Sequence, residues 1–166
     1  MTANQRAFLE LVAACEGTLG PNGYRALFGY LYNPKTGLDN GKTFATFADH
    51  PRIRTLYTDK SGHTFPTTAA GRYQFTAATW DTLQKRYHYP DFSPESQDRA
   101  TLDLCREVGA LKSINAGDIE NAMWRVRGIW ASLPTATVPQ PHRTVEFALK
   151  VYADAGGVLS TKGAQA

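Results

Sequence analysis

The sequence predicts an α+β protein with a helical majority, and three observations support this. Apolar residues recur at helical spacing from Asn4 to Cys15, and again through most of the chain after Phe75. Between these segments, from Thr18 to Thr68, the helical period is lost, and clusters of Gly, Pro, Asn and Asp mark turns. No internal repeat and no linker-like stretch is found, so we expect one domain over residues 1–166.

Composition and charge limit the class of protein. Hydrophobic residues make up 42% and charged residues 20% of the 166 residues, as in ordinary globular proteins with a sizeable core. The net charge is only +3 and no lysine or arginine run forms a basic stripe, so we expect no nucleic-acid partner. No stretch approaches the ~20 apolar residues that span a bilayer, and residues 1–16 lack the pattern of a secretory signal. We expect a monomer that is made in the cytoplasm without a signal peptide and does not insert stably into membranes.

The first predicted helix runs from Asn4 to Cys15. Thr2 or Asn4 is suited to cap its start, and Gly17 follows at the position where helices often end. One face carries the apolar residues Phe8, Leu11, Val12 and Cys15.

The middle of the chain predicts a small β-region with long loops. Short aromatic-rich runs at Leu27–Tyr32 and Thr43–Phe47 favour strands, with turn clusters such as Asn33–Gly37 between them. Loops of this length inside a compact domain are often functional.

The chain after Phe75 predicts four or five helices. Their starts and ends are marked by capping residues, Pro and Gly. The predicted helices begin after Thr76, Ser93 and Asp118 and near Val145, and they end near Tyr87, Gly109, Pro134 and Gly156. The second of them is expected to present Leu104, Cys105 and Val108 on its apolar face. We expect the tail after Leu159 to be flexible.

Neither a metal site nor a cofactor is predicted. The two cysteines, Cys15 and Cys105, fit no metal motif and fall on apolar helix faces, which favours buried thiols. The four histidines are scattered, without the paired spacing of a metal site; they are His50, His63, His88 and His142.

Glu16 is the candidate catalytic residue. It falls in the last turn of the first helix, where the helix dipole disfavours a negative charge and so raises the pKa of a carboxyl group. Partial burial would raise that pKa further, giving the protonated acid that glycosidic cleavage needs. The alternative is an exposed Glu at a helix end with no role, and the local pattern alone leaves it open.

The segment Thr67–Phe75 is the candidate substrate-binding segment. Gly71 allows a close approach of backbone to a ligand, Tyr73 offers an aromatic face and a hydroxyl, and Gln74 offers a donor and an acceptor suited to sugar groups. The alternative is a strand-to-helix corner with Tyr73 packed in the core.

A set of short segments occurs in order over nearly the whole chain and together resembles the phage lambda endolysin family of lytic transglycosylases. Cys15-Glu16-Gly17-Thr18 is similar to the family's catalytic Ser-Glu-Gly-Thr, with Cys in place of Ser. The other matching segments are Asn4–Leu9, Asp49–Arg52, Ala70–Gln74, Phe92–Asp98, Gly109–Leu111, Gly117–Ile119 and Ile129–Pro134.

The resemblance implies a lysozyme-like fold whose long loops form a saccharide cleft, and peptidoglycan glycan strands as the substrate. The implied reaction breaks the β-1,4 bond between N-acetylmuramic acid and N-acetylglucosamine and forms a 1,6-anhydro end. Glu16 would act without a catalytic Asp, with Tyr73 and Gln74 beside it in the cleft. The family also implies action on the cell wall after the membrane is permeabilised, with host lysis as the result.

Two segments, residues 19–46 and 135–141, depart from the family pattern, so their contacts with sugars are not carried over. Two other functions stay open. One is a hydrolytic muramidase that pairs Glu16 with Asp39 or Asp49. The other is a wall-binding or virion module without activity, against which the presence of Glu16 argues.

Overall fold

A computed structural model describes residues 1–58, 61–136 and 143–160. The described residues divide into two compact units, one of residues 1–16 with those from 99 onward, the other of residues 17–98. The expectation of a single domain stays a prediction.

The α+β class with a helical majority is confirmed by the elements of the structure. In chain order they are α1 Ala3–Glu16, β1 Leu31–Asn33, β2 Leu38–Asn40, β3 Thr55–Thr58, β4 Thr64–Thr67, α2 Ala77–Tyr87, α3 Pro94–Glu107, α4 Ala110–Ala116, α5 Ile119–Arg125 and α6 Val145–Asp154.

The first unit is helical and is organised around α1. The α1 helix packs against α6 and α4, and α4 packs against α5. A reciprocal capping box starts α1: the Thr2 hydroxyl accepts from the Gln5 N–H at 3.2 Å, and the Gln5 carboxamide accepts from the Thr2 N–H at 3.0 Å. This confirms Thr2 as the cap. The helix buries an almost continuous run of residues from Ala7 to Cys15.

The second unit contains two separate antiparallel hairpins. β1 pairs with β2, and β3 pairs with β4. The turn between β1 and β2 is the predicted cluster Asn33–Gly37, where the Gly37 N–H donates to the Asn33 carbonyl at 2.9 Å and Gly37 has a φ of +71°. The turn signal was therefore right.

The predicted strands at Leu27–Tyr32 and Thr43–Phe47 are wrong. Only Leu31 and Tyr32 lie in a strand, and Thr43 makes no more than an isolated bridge with Ala26. The aromatic residues of these runs serve the core instead: Phe44 is 5% exposed and packs beside Phe92 at 5.7 Å between ring centroids. Apolar content alone cannot separate a strand from a buried loop.

The helices after Phe75 mostly begin where caps were predicted. The Thr76 hydroxyl accepts from the Thr79 N–H, and the Ser93 hydroxyl accepts from the Ser96 N–H. Five helices follow Phe75 in the described residues, as expected, including a short α4 that no cap signal had indicated. The prediction that Val108 lies on the apolar face of α3 is wrong, because Val108 is 38% exposed and follows the end of that helix.

The helix predicted to run from Asp118 to Pro134 is shorter than expected. It ends at Arg125, and turns follow. Gly128 weakens any continuation, because glycine costs about 1 kcal/mol in a helix interior. Trp130 and Leu133 are nevertheless buried as predicted. Ser132 therefore lies in a turn rather than on a helix face.

No helix in the described part of the chain is both long and apolar enough to cross a membrane. Of the two departures from the family pattern, the second, at residues 135–141, lies mostly outside the described residues, as does the tail after Leu159.

Candidate active site

Glu16 is the last residue of α1. The chain leaves the helix at Gly17, which has a φ of +77°, in the left-handed region that favours glycine. The Ser132 hydroxyl donates a hydrogen bond of 2.6 Å to Glu16 Oε1, and both residues belong to the first unit. The Glu16 residue is partly exposed. A carboxyl group fixed by one donor and still open on one side is suited to proton transfer.

The Glu16 carboxyl has a strongly raised pKa. Burial lifts the pKa from 4.5 to about 7, and the hydrogen bond from Ser132 opposes this rise because it stabilises the charged form. No charged residue in the described chain is among the causes of the shift. The group is therefore present in both protonation states near neutral pH, which a residue acting as acid and then as base requires.

Cys15 stands next to Glu16 but is not a nucleophile. Its side chain is buried, and burial together with the neighbouring Glu16 charge raises the thiol pKa to about 12. Cys105 is also buried, and both cysteines are free. The prediction of two buried thiols is confirmed.

The second unit presents Gln74 on a tight turn. The Ala70 N–H donates to the Phe75 carbonyl at 2.9 Å, which closes the turn around Gly71 and Gln74. Gln74 has a φ of +51°, a conformation that residues other than glycine rarely adopt. Its Nε2 donates to the Gly71 carbonyl at 2.9 Å, and its Oε1 accepts no hydrogen bond from any described residue. Gln74 is partly exposed, so this oxygen is available to a ligand.

Gly71 and Tyr73 have structural roles in this turn. A Cβ added to Gly71 would lie 2.4 Å from Gln97 Oε1, so the glycine is needed for packing against Gln97. Tyr73 is 1% exposed, and its hydroxyl donates to Asp98 at 2.6 Å. The expectation that Tyr73 offers a face for sugar stacking does not fit this burial, whereas the alternative of a core tyrosine does. No ligand tests the direct sugar contact expected of Gly71.

Within the second unit, Thr18 makes a hydrogen bond to the turn that carries Gln74. The Thr18 hydroxyl, two residues after Glu16, donates to the Arg72 carbonyl within the second unit. The Gly17 carbonyl, also in the second unit, accepts from the Tyr32 N–H at 2.8 Å. Thr18 is thus fixed to the segment that carries Gln74, and Gly17 to strand β1.

The two aspartates considered as partners of Glu16 both make hydrogen bonds or ion pairs with other residues. Asp39 Oδ2 accepts from Asn22 at 2.7 Å and from the Tyr30 hydroxyl at 2.8 Å, and these bonds lower the pKa of Asp39. Asp49 pairs with Arg52 at 3.1 Å, and its Oδ1 accepts from the His50 N–H at 2.7 Å and from the Trp80 indole. Each carboxylate therefore has a structural role within the second unit.

Within the described ranges, no cluster of three or more His, Cys, Asp or Glu side chains could hold a metal ion. His142, one of the four scattered histidines, lies outside those ranges.

Comparison with known proteins assigns the family. The Endolysin family model matches residues 6–159 of this chain. The endolysin of Escherichia phage lambda is 38% identical over 157 residues, which cover 94% of both proteins. The endolysin of Escherichia phage P2 is 39% identical over 165 residues, covering 93% of this chain and 94% of that protein. The chain belongs to the endolysin family.

Solved structures confirm the lysozyme-like fold. Bacteriophage lambda lysozyme in complex with a chitohexasaccharide superimposes with a TM-score of 0.82 at 33% identity, covering 96% of this chain and 97% of that one. A second structure of lysozyme from bacteriophage lambda gives a TM-score of 0.74 at 34% identity, with the same coverage. As a member of the endolysin family, the protein is a peptidoglycan-cleaving enzyme that acts on the cell wall.

Sequence reasoning overlooked the roles of three residues in this endolysin fold: Ser132, Gln97 and Asp98. All three lie in segments that match the family, Ile129–Pro134 and Phe92–Asp98, and those matches were the only signal that could have found them. No local pattern links Ser132 to Glu16, because 116 residues separate them in the chain.

Proposed function

We propose that this endolysin is a lytic transglycosylase. It breaks the β-1,4 bond between N-acetylmuramic acid and N-acetylglucosamine and leaves a 1,6-anhydro end on the muramic residue. The observation that carries this proposal is the Glu16 carboxyl, whose pKa of about 7 is set by burial and a serine hydroxyl rather than by a second carboxylate.

Glu16 acts first as a general acid. Its proton passes to the glycosidic oxygen while the bond from that oxygen to muramic C1 breaks, and C1 takes on oxocarbenium character. The departing N-acetylglucosamine leaves with the proton on its 4-hydroxyl. The carboxylate that remains accepts the Ser132 hydrogen bond, which stabilises the charge it has gained.

Glu16 then acts as a base. It removes the proton from the muramic 6-hydroxyl, and O6 bonds to C1 of the same sugar, which returns Glu16 to its protonated state. Because this attack is intramolecular, it needs no bound water and no second carboxylate to activate one. The occupied state of Asp39 and Asp49 supports a mechanism that uses neither of them.

Gln74 contacts the glycan. Its free Oε1 and its second N–H form a donor–acceptor pair that complements an N-acetyl group. The chitohexasaccharide in the lambda lysozyme complex is a chain of N-acetylated sugars. That ligand of a relative supports the proposal that the present protein also binds a saccharide. Gly71 is buried at the base of the same turn, and its carbonyl accepts from Gln74, so its part in binding is to shape the turn that presents Gln74.

Product analysis tests the proposal against the hydrolytic alternative. Purified peptidoglycan is digested with the wild-type protein, and the soluble fragments are weighed by mass spectrometry. Transglycosylation gives muramic ends that are one water lighter than reducing ends, with no uptake of ¹⁸O from labelled water. Reducing ends that carry ¹⁸O would establish a hydrolase instead. Glu16→Gln is the matched control, since it keeps the shape of the side chain and should release fragments of either kind at least about a hundredfold more slowly.

The expected site of action follows from this substrate. We infer that the protein is made in the host cytoplasm, reaches peptidoglycan after the inner membrane is permeabilised, and works as a monomer without a cofactor.

A further inference from the structure

The turn that presents Gln74 is fixed on both sides of that residue by buried side chains. Before Gln74, the Arg72 N–H donates to Gln97 Oε1 at 2.8 Å, and the Arg72 carbonyl accepts from Thr18. After Gln74, the Phe75 carbonyl accepts from His50 Nε2 at 2.8 Å. Gln74 itself makes hydrogen bonds only to the Gly71 carbonyl among the described residues.

Gln97 ties this turn to two other segments. It is fully buried, and its Nε2 donates to the Phe92 carbonyl at 2.8 Å and to the Tyr24 carbonyl at 3.0 Å. A buried carboxamide with donors and acceptor all used holds its partners at fixed positions, since losing any bond would leave a polar group unsatisfied.

Asp98 adds a second tie through Tyr73. Its Oδ1 accepts from the Tyr73 hydroxyl at 2.6 Å and from the Tyr24 hydroxyl at 2.9 Å. The two phenols are alike in chemistry but differ in what they hold. Tyr73 directly precedes Gln74, whereas Tyr24 lies in the 3₁₀ turn Gly23–Arg25.

A left-handed backbone at Gln74 needs such support. For a residue with a side chain, this conformation costs about 1–2 kcal/mol and persists only where the surroundings impose it. Four side chains from three parts of the second unit supply these constraints: Thr18, His50, and the neighbouring Gln97 and Asp98 on α3. If these side-chain contacts were removed, the backbone of Gln74 would relax toward the ordinary right-handed region. The Gln74 carboxamide would then turn away from the position in which it meets the glycan.

We propose that Asp98 is a positioning residue for substrate binding: through the Tyr73 hydroxyl it holds Gln74 in the conformation that presents its carboxamide to the glycan. Asp98 does not touch the sugar. The inference rests on the proposed contact between Gln74 and the substrate.

Tyr73→Phe and Tyr24→Phe form a matched pair for the test. Each removes one hydroxyl from the same Asp98 oxygen and leaves the ring in place. The probe is the N-acetylglucosamine hexasaccharide, and the measurements are its Kd and the Tm of each variant. We expect similar losses in Tm, but a Kd raised about fivefold in Tyr73→Phe, the size of one hydrogen bond, and within about twofold of wild type in Tyr24→Phe.

A double-mutant cycle with Gln74→Ala decides whether the effect passes through Gln74. Gln74→Ala alone should raise the Kd, and adding Tyr73→Phe to it should raise the Kd no further. Asp98→Asn keeps an acceptor oxygen and should bind more tightly than Asp98→Ala. Three results would each overturn the proposal. They are equal increases of Kd in the two Tyr→Phe variants, additive increases of Kd in the cycle, and an unchanged Kd in Gln74→Ala.

These readouts separate the inference from the proposed reaction. Binding of the hexasaccharide is an equilibrium measurement and does not depend on which product is formed. Reducing ends in the digest would therefore refute the transglycosylase proposal and leave the role of Asp98 in place. If the Kd were the same in all variants while the digest contained anhydro ends, the role of Asp98 would be refuted and the transglycosylase proposal would stand.

Discussion

The Ser132 hydroxyl donates a 2.6 Å hydrogen bond to Glu16 Oε1, joining the end of the first helix to a turn 116 residues later in the same unit. A neutral donor at this position favours the ionised carboxyl, while burial disfavours it, and burial has the larger effect. The balance of these two effects sets the pH at which the acid of the reaction is available.

Replacing Ser132 by Ala is expected to raise the pKa of Glu16 above about 7, because only the effect of burial then remains. Bonds to charged groups contribute about 1.5–3 kcal/mol, so a shift of about one pH unit is expected after partial compensation by water. The measurement is kcat/KM against pH with labelled peptidoglycan. Its alkaline limb, where the acid loses its proton, should move to higher pH.

Ser113→Ala is the matched control for this prediction. Ser113 is a buried serine in the same unit, and its hydroxyl contacts Asn121 rather than Glu16. Its pH profile should keep the wild-type alkaline limb even if its Tm falls. An unmoved limb in Ser132→Ala would mean that the serine does not tune Glu16.

Glu16→Gln is expected to lower kcat by about 10²–10⁴-fold, the usual contribution of a general acid–base group. The same change should alter stability in a pH-dependent way. The folded-state pKa of about 7 lies above 4.5, so the folded protein binds the proton more tightly than the unfolded chain. The stability this provides is complete below pH 4.5 and is lost as the pH rises through 7.

The Tm of Glu16→Gln should therefore exceed that of wild type at pH 8, and the difference should shrink toward pH 5. The buried charge that Gln removes costs up to about 3 kcal/mol at alkaline pH. Glu120→Gln, on an exposed part of α5, is the control and should show no such trend. A Tm difference that is constant with pH would contradict the buried-acid assignment.

Local signals in the sequence predicted several helix starts and singled out Glu16 as the candidate catalytic residue. Thr76 and Ser93 cap helices through their own hydroxyls, an interaction within one turn of chain that a short pattern can reveal. Glu16 stood out because a carboxylate at the end of a helix breaks a local rule, which often marks a functional residue. Both kinds of signal involve neighbours in sequence.

Features that depend on distant residues could not be predicted in this way. The aromatic runs around Leu27 and Phe44 were interpreted as strands, although their burial comes from packing against residues such as Phe92 and Ala70. Tyr73 was expected to face the sugar, but its partner Asp98 lies 25 residues away and draws it into the core. No pattern of spacing encodes those contacts.

His50 is expected to make the protein sensitive to acid. Burial lowers the pKa of His50 below its ordinary 6.5, with nearby Arg52 acting in the same direction. The unfolded chain therefore binds a proton more readily than the folded one, and stability is lost as the pH falls below 6.5. His50→Gln should remove this part of the pH dependence, measured as Tm between pH 4 and 7.

The exposed His63, on the turn between β3 and β4, gives the control for that series. His63→Gln should keep the wild-type slope of Tm against pH. A wild-type slope in His50→Gln as well would show that the acid loss comes from other groups.

Gly71→Ala tests how tightly the Gln74 turn is packed, and Gly62→Ala isolates the cost of the backbone conformation. Both glycines have left-handed backbones, with φ of +79° and +84°. At Gly62 an added Cβ meets no atom of the described residues within 4 Å, so with respect to these residues only the conformational cost of about 1–2 kcal/mol applies. At Gly71 the Cβ would lie 2.4 Å from Gln97 Oε1 and 2.9 Å from Phe92, so about 1–3 kcal/mol of overpacking is added. Urea unfolding should therefore show a larger loss of unfolding free energy for Gly71→Ala.

Hexasaccharide binding should weaken for Gly71→Ala alone, because only that change displaces the Gln97 carboxamide that holds Arg72. Equal losses of stability and unchanged binding in both variants would mean that the turn yields easily, and that its contacts with Gln97 do not fix Gln74.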